Sequence, residues 1–189
     1  MDRAGIGYGV GCWLGATSAA LLEGLVEAGY DKPFWAFDRW EANAAEIRKA
    51  REQGVALKLG QNLHSVYLQN VCKVYPKIKA IRGRIPPTLK SYSGDPIEFC
   101  MFDAPKRNPM FVKSIHLLLP YFIPGVTVLG LLDYYFYARR RDIQKNEDWK
   151  EFLAPVRYKE QYKDHLGSGF FDLNLEFIWV VGLAILHNS

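Results

Sequence analysis

Two short apolar runs, each closed by an aspartate, constrain this chain more than any other feature. Ile97-Glu-Phe-Cys-Met-Phe102 leads into Asp103-Ala-Pro-Lys106, and after one helix-length spacer Val126-Thr-Val-Leu-Gly-Leu-Leu132 leads into Asp133. Apolar runs this short and rich in Val, Ile and Phe read as buried strands of a parallel sheet. Open α/β sheets bind ligands beyond the carboxyl ends of their strands. Two carboxylates and an amine delivered there suggest a divalent metal, held by Asp103 and Asp133, and a proton acceptor, Lys106.

The rest of the chain repeats the same grammar. Tyr8 to Cys12 reads as a first strand, with a turn over Gly11 to Gly15 and a helix capped by Thr17 or Ser18 and stopped by Gly29. Phe34 to Phe37 is a second strand ending at Asp38, and Ile78 to Ile81 a short third one. Helices are expected over Glu41 to Glu52, Leu63 to Val74, Pro109 to Tyr121 and, as a single element, Tyr134 to Tyr158. Phe171, Leu173, Leu175 and Phe177 alternate with polar residues, the pattern of a half-buried strand, and Phe177 to Leu186 holds one or two more. Strand and helix alternate through most of the chain. The predicted fold is α/β, a doubly wound and mostly parallel sheet with helices on both faces, built by residues 1–189 as one domain.

Composition narrows the function classes. The 189 residues carry a net charge of only +4, too weak and too dispersed to argue for a nucleic-acid partner. Cys12, Cys72 and Cys100 are odd in number and lack metal-ligand spacing, which fits a reducing, cytoplasmic setting. The four histidines show no ligand spacing either. The apolar stretch Phe170 to Leu186 contains Asp172 and Glu176, and is too short and too charged to span a membrane.

The first turn, Tyr8-Gly-Val-Gly11-Cys-Trp-Leu-Gly15-Ala-Thr17-Ser18, has the logic of a nucleotide-binding turn. Glycines let backbone approach a ligand, and a helix amino terminus offers free N–H groups. Its spacing, G-x-G-x-x-x-G, is neither the dinucleotide fingerprint nor a phosphate loop. Asp38 stands where an acid hydrogen-bonds the ribose of an adenosine group, or else serves as a solvated carboxylate or helix cap. Trp40 is placed to cover an adenine ring, or else to fill the core.

These segments together resemble the class I S-adenosylmethionine-dependent O-methyltransferases. The aspartate with a lysine three residues on is similar to the catechol and caffeoyl-coenzyme A type. Cys12-Trp-Leu-Gly15-Ala-Thr17-Ser18 and Phe37-Asp38-Arg-Trp40 are more similar to the macrocin type, which methylates sugar hydroxyls. The resemblance implies a seven-stranded sheet with one antiparallel strand near its end. It implies S-adenosyl-L-methionine against Gly11, Gly15, Thr17, Ser18, Asp38 and Trp40, Mg²⁺ on Asp103 and Asp133, and Lys106 as catalytic base. The acceptor would be a small hydroxylated molecule, a sugar or natural product, and an aromatic surface around Tyr134 to Tyr137 could pair subunits. Some positions depart from the pattern: Gly9 replaces an acid of the first strand, Arg84 follows the third strand, and Leu132 and Tyr134 flank Asp133. A second reading is therefore a degenerate module that keeps the fold as a binding or scaffold unit without turnover. A third is another α/β enzyme, acting on a nucleotide sugar or dinucleotide.

Overall fold

The computed structural model describes residues 5–162 and 178–182, apart from positions 53, 93 and 140. Five parallel strands, β1 (Ile6–Val10), β2 (Phe34–Asp38), β3 (Ile78–Arg82), β4 (Ile97–Phe102) and β5 (Val128–Leu132), form one sheet with the antiparallel strand β6 (Ile178–Gly182). Their order is β3-β2-β1-β4-β5-β6. The chain thus winds outward from β1 in one direction and then, beginning with β4, in the other. The switch point lies between β1 and β4, where such sheets place their ligands. The expected strand over 171–177 and the stretch 183–186 lie outside the described residues, so the sheet counts six strands here rather than seven.

The first strand shows why the sheet carries two different cores. Gly5-Ile6-Gly7-Tyr8-Gly9-Val10-Gly11 alternates glycine with a large residue, and successive side chains on a strand point to opposite faces. Ile6, Tyr8 and Val10 join Phe37, Cys100, Phe102, Leu129 and Leu131 in one buried cluster. The helices α4 (Met110–Leu118), through Phe111, Ile115 and Leu118, and α7 (Ala154–Gln161), through Tyr158, close over it. On the opposite face the glycines leave room for the Phe34 ring, which packs with Leu22 of α1 (Ala16–Glu27) and with Tyr67 and Val71 of α3 (His64–Val71). A Cβ at Gly7 would sit 2.7 Å from Phe34 Cδ2, and one at Gly9 would sit 3.1 Å from both Phe34 Cζ and Cys12 Sγ. The acid that the resemblance calls for at Gly9 has its space filled by an aromatic ring.

Several element limits move for local reasons. α1 begins at Ala16 with Gly15 as its left-handed N-cap residue, so Thr17 and Ser18 lie inside the first turn and cap nothing. α2 (Ala44–Glu52) starts later than expected because Asn43 and Glu46 form a reciprocal capping box: Glu46 N–H donates to Asn43 Oδ1 at 3.0 Å, and Asn43 N–H donates to Glu46 Oε2 at 2.7 Å. β5 begins at Val128, since the preceding Thr127 is buried with its hydroxyl donating to Ile97 O at 2.5 Å and accepting from Ile123 N–H at 2.6 Å. The single helix expected over Tyr134 to Tyr158 is broken into α5 (Tyr134–Arg139), α6 (Arg141–Lys145), a 3₁₀ segment (Glu147–Leu153) and α7. Among the described residues no helix is long and apolar enough to cross a membrane.

Two glycines of equal backbone strain separate packing from conformation. Gly11 and Gly29 have φ of +82° and +80°, but a Cβ at Gly11 would lie 2.6 Å from the Ala104 nitrogen whereas one at Gly29 meets nothing within 4 Å. Gly29→Ala should cost about 1 kcal/mol for the left-handed backbone. Gly11→Ala should cost about 3 kcal/mol, because roughly 2 kcal/mol of overpacking is added. Urea denaturation midpoints measure both, and equal costs would reject the close contact at Gly11.

Candidate active site at the carboxyl rim of the sheet

Parallel pairing of β4 with β5, with Phe102 opposite Leu131, brings the residues that follow these strands to the same rim. Asp103 is fixed by its N–H, which donates to Val10 O at 2.8 Å and so ties the end of β4 to the end of β1. Asp133 takes a left-handed conformation, φ +56°, one that aspartate tolerates better than most residues. Between the two carboxylates stands Lys106, its Nζ 2.7 Å from Asp103 Oδ1 and hydrogen-bonded to Asp133 Oδ2. The lysine side chain is 15% exposed against 34% and 43% for the two aspartates, so the ammonium is the innermost of the three charges. Burial by itself would lower the lysine pKa; the charges of Asp103 and Asp133 and their hydrogen bonds outweigh it, and the net shift is upward. Lys106 therefore keeps its proton in this arrangement.

A second cluster forms at the ends of β1 and β2. Asp38 accepts the Trp13 N–H on Oδ2 at 2.9 Å and the Trp40 N–H on Oδ1 at 2.7 Å. Trp40 Nε1 in turn donates to Trp13 O at 2.7 Å, closing the loop. Both tryptophans have positive φ, +46° for Trp13 and +42° for Trp40, a strained conformation for so bulky a residue. The Asp38 carboxylate thus holds two strained backbone turns at once. Burial pushes its pKa up, and the amide bonds from Trp40 and Trp13 pull against that. Nearby, burial and then the charge of Asp38 push the Cys12 thiol up to about 12, so it is not a nucleophile.

The sequence expectations divide accordingly. Asp103, Lys106 and Asp133 do meet. Gly11 and Gly15 have the positive φ expected of a binding turn, yet protein occupies the space their missing side chains leave: Ala104 against Gly11, and Val71 Cγ2, 2.5 Å from a Cβ at Gly15. Trp40 is 1% exposed and packed on His64 and Tyr67, so it fills the core rather than covering a ligand. Ser18 is fully buried, with its hydroxyl unpartnered, while Thr17 is exposed on the first turn of α1. Tyr134 is also buried, and the side chains of 135–137 lie outside the described residues. Sequence reasoning missed Trp13, half-exposed in the first turn with the Lys49 ammonium 5.6 Å from its ring centre. Its signal was a tryptophan between two glycines in a turn too short to bury it. All three non-glycine residues of positive φ among those described, Trp13, Trp40 and Asp133, follow the carboxyl ends of strands. Backbone strain gathers in this way at functional sites.

No family model matches this sequence, and no curated protein does. Solved structures do. The O-methyltransferase TomG from Streptomyces achromogenes, in complex with SAM, superposes with a TM-score of 0.59 at 17% identity, over 97% of this chain and 74% of that one. An O-methyltransferase from Bacillus cereus, in complex with SAH, gives 0.58 at 14% identity, over 95% and 74%. The DszA carbon methyltransferase gives 0.55 at 10% identity, over 98% of this chain and 49% of that one. Similarity at such identities speaks for the fold: the chain has the Rossmann-like architecture of class I methyltransferases.

Proposed function

We propose that the protein is an S-adenosylmethionine-dependent methyltransferase that methylates a hydroxyl of a small molecule, a sugar or natural product of the kind macrocin-type enzymes accept. The observation that carries the reading is the Asp103–Lys106–Asp133 cluster at the rim of a sheet with this topology. The amino terminus of α1 supports it: it has no side-chain cap, and free N–H groups at a helix start suit a carboxylate such as that of a methionine moiety. Gly11, Gly15, Thr17 and Ser18 belong to that turn, and Asp38 frames it. Trp13, rather than Trp40, is the aromatic side chain available to a ligand there.

When bound, S-adenosyl-L-methionine supplies a methyl group on a sulfonium, an electrophile that needs no activation by the protein. The chain's task is to hold the acceptor in line and take its proton. The Lys106 ammonium donates to the acceptor oxygen and orients it. Asp133, the more exposed of the two carboxylates, would take up the hydroxyl proton as the acceptor reacts. The cluster of two aspartates and one lysine keeps a net charge of −1, complementary to a sulfonium cation. The small net charge of +4 goes with a small-molecule acceptor rather than a nucleic acid, and the free cysteines go with a cytoplasmic setting.

A second reading has its own observation: Phe34 fills the space beside Gly9, and both Asp38 oxygens already accept backbone N–H groups. That arrangement suits a module that keeps the fold and binds without turnover. Titration calorimetry with S-adenosylmethionine and S-adenosylhomocysteine separates the readings. Binding of both, with methyl transfer to a hydroxylated acceptor, is the expected result; binding without transfer would favour the scaffold, and no binding of either would sink both.

Asp38 offers a second measurement. Asp38→Ala leaves the Trp13 and Trp40 N–H groups without their acceptor and should cost about 2–4 kcal/mol of stability, at roughly 1–2 kcal/mol for each abandoned donor. It should also weaken S-adenosylmethionine binding by about tenfold or more, since the β1 turn loses its anchor. Asp38→Asn keeps one acceptor oxygen and should recover about half the stability. Unchanged cofactor affinity in a folded Asp38→Ala protein would separate this loop from the cofactor site.

A further inference from the structure

The pair of carboxylates that the sequence offers to Mg²⁺ is already served by a cation of the chain's own. Lys106 Nζ is 2.7 Å from Asp103 Oδ1 and hydrogen-bonded to Asp133 Oδ2, so one ammonium spans both acids. Among the described residues no third Asp, Glu, His or Cys joins them in a group able to hold a metal ion. The neighbours of Asp133 add no ligand: Leu132 is apolar and buried, and the buried Tyr134 presents its ring to the Lys159 ammonium, 5.1 Å from the ring centre. A hard divalent ion wants several oxygen ligands and strict geometry. Placed here it would find two carboxylates and a positive charge within a few ångströms, where like charges repel strongly in a partly buried setting. The donor set and its occupancy by lysine do not fit Mg²⁺.

We propose that the Lys106 ammonium is the resident cation of this rim, standing where a divalent metal would sit, and that it excludes such an ion as long as it is present. Lys106 is then a positioning residue in two senses. It holds the chain after β4 to the chain after β5, and, on the methyltransferase reading above, it orients the acceptor oxygen that a metal would otherwise bind.

The experiment uses Mn²⁺ alone as probe, with the full chain, and reads free aqua-ion by electron paramagnetic resonance. Wild type should leave the free signal unchanged up to about millimolar ion. Lys106→Ala should bind at least about tenfold more tightly, a gain of about 1.4 kcal/mol, because it uncovers two adjacent carboxylates. Lys106→Arg, which restores the positive charge, should return to the wild-type result, and adding Asp103→Asn to Lys106→Ala should abolish the gained site. A variant with a merely structural lysine would unfold or weaken without acquiring metal affinity. Should Lys106→Ala fail to fold, Lys106→Gln keeps most of the stem and takes its place. The proposal is overturned if wild type binds Mn²⁺ and Asp103→Asn removes that binding, or if folded Lys106→Ala and Lys106→Gln bind no better than wild type. Cofactor titration of the same metal-free wild-type protein tells the two claims apart: absence of S-adenosylmethionine binding counts against the methyltransferase reading and leaves the lysine result standing.

Discussion

Parallel strands that end together bring whatever follows them together. In this chain β4 and β5 are both followed by aspartate, so the sheet presses two like charges toward one another at its rim. Such an arrangement needs a cation, because unpaired carboxylates so placed repel and lose hydration. Lys106, three residues past Asp103, meets that need from the same loop. The rim is therefore held by a charge network internal to the chain. The same network sets the state of its lysine, since two acids beside an amine favour the protonated form.

The other half of the rim is held by a different device. Asp38 closes β2, and each of its oxygens receives a backbone N–H from a tryptophan in a strained conformation. The indole N–H of Trp40 completes the circuit by binding Trp13 O. Charge-assisted hydrogen bonds are among the strong ones, and here they offset backbone strain where the sheet should meet a ligand. The left-handed turns at Trp13, Trp40 and Asp133 mark out one edge of the molecule, while the rest of the described backbone keeps positive φ to glycine.

Much of the architecture was legible in the residues. Apolar runs of strand length, separated by helix-length spacers and punctuated by Gly and Pro, led to the five parallel strands, with limits shifted by one or two residues. The meeting of Asp103, Lys106 and Asp133 was also legible, since adjacent parallel strands make it a matter of register. What was not legible is what each side chain faces. For Trp40 the residues left a ligand platform and a core place both open, and it is core, because the loop after Asp38 folds inward over His64 and Tyr67. Gly11 and Gly15 suggested a ligand's approach but first admit Ala104 and Val71. The alternating glycines of β1 carried a signal that was overlooked: one bare face of a central strand needs a large ring to fill it, and Phe34 does so.

By itself the sequence determined the class of fold, through periodicity and punctuation, and it determined that two acids and an amine come to one rim, through spacing along strands that must lie side by side. Only the tertiary structure decided that the amine sits between the acids, its Nζ within reach of both carboxylates. Only it decided that Asp38 grips two tryptophan amides. The reason is physical. Periodicity is a property of local backbone geometry and is written in the order of residues, whereas the partner of a charge or a hydrogen bond is settled by which groups compete for the same few ångströms of space once the sheet has closed.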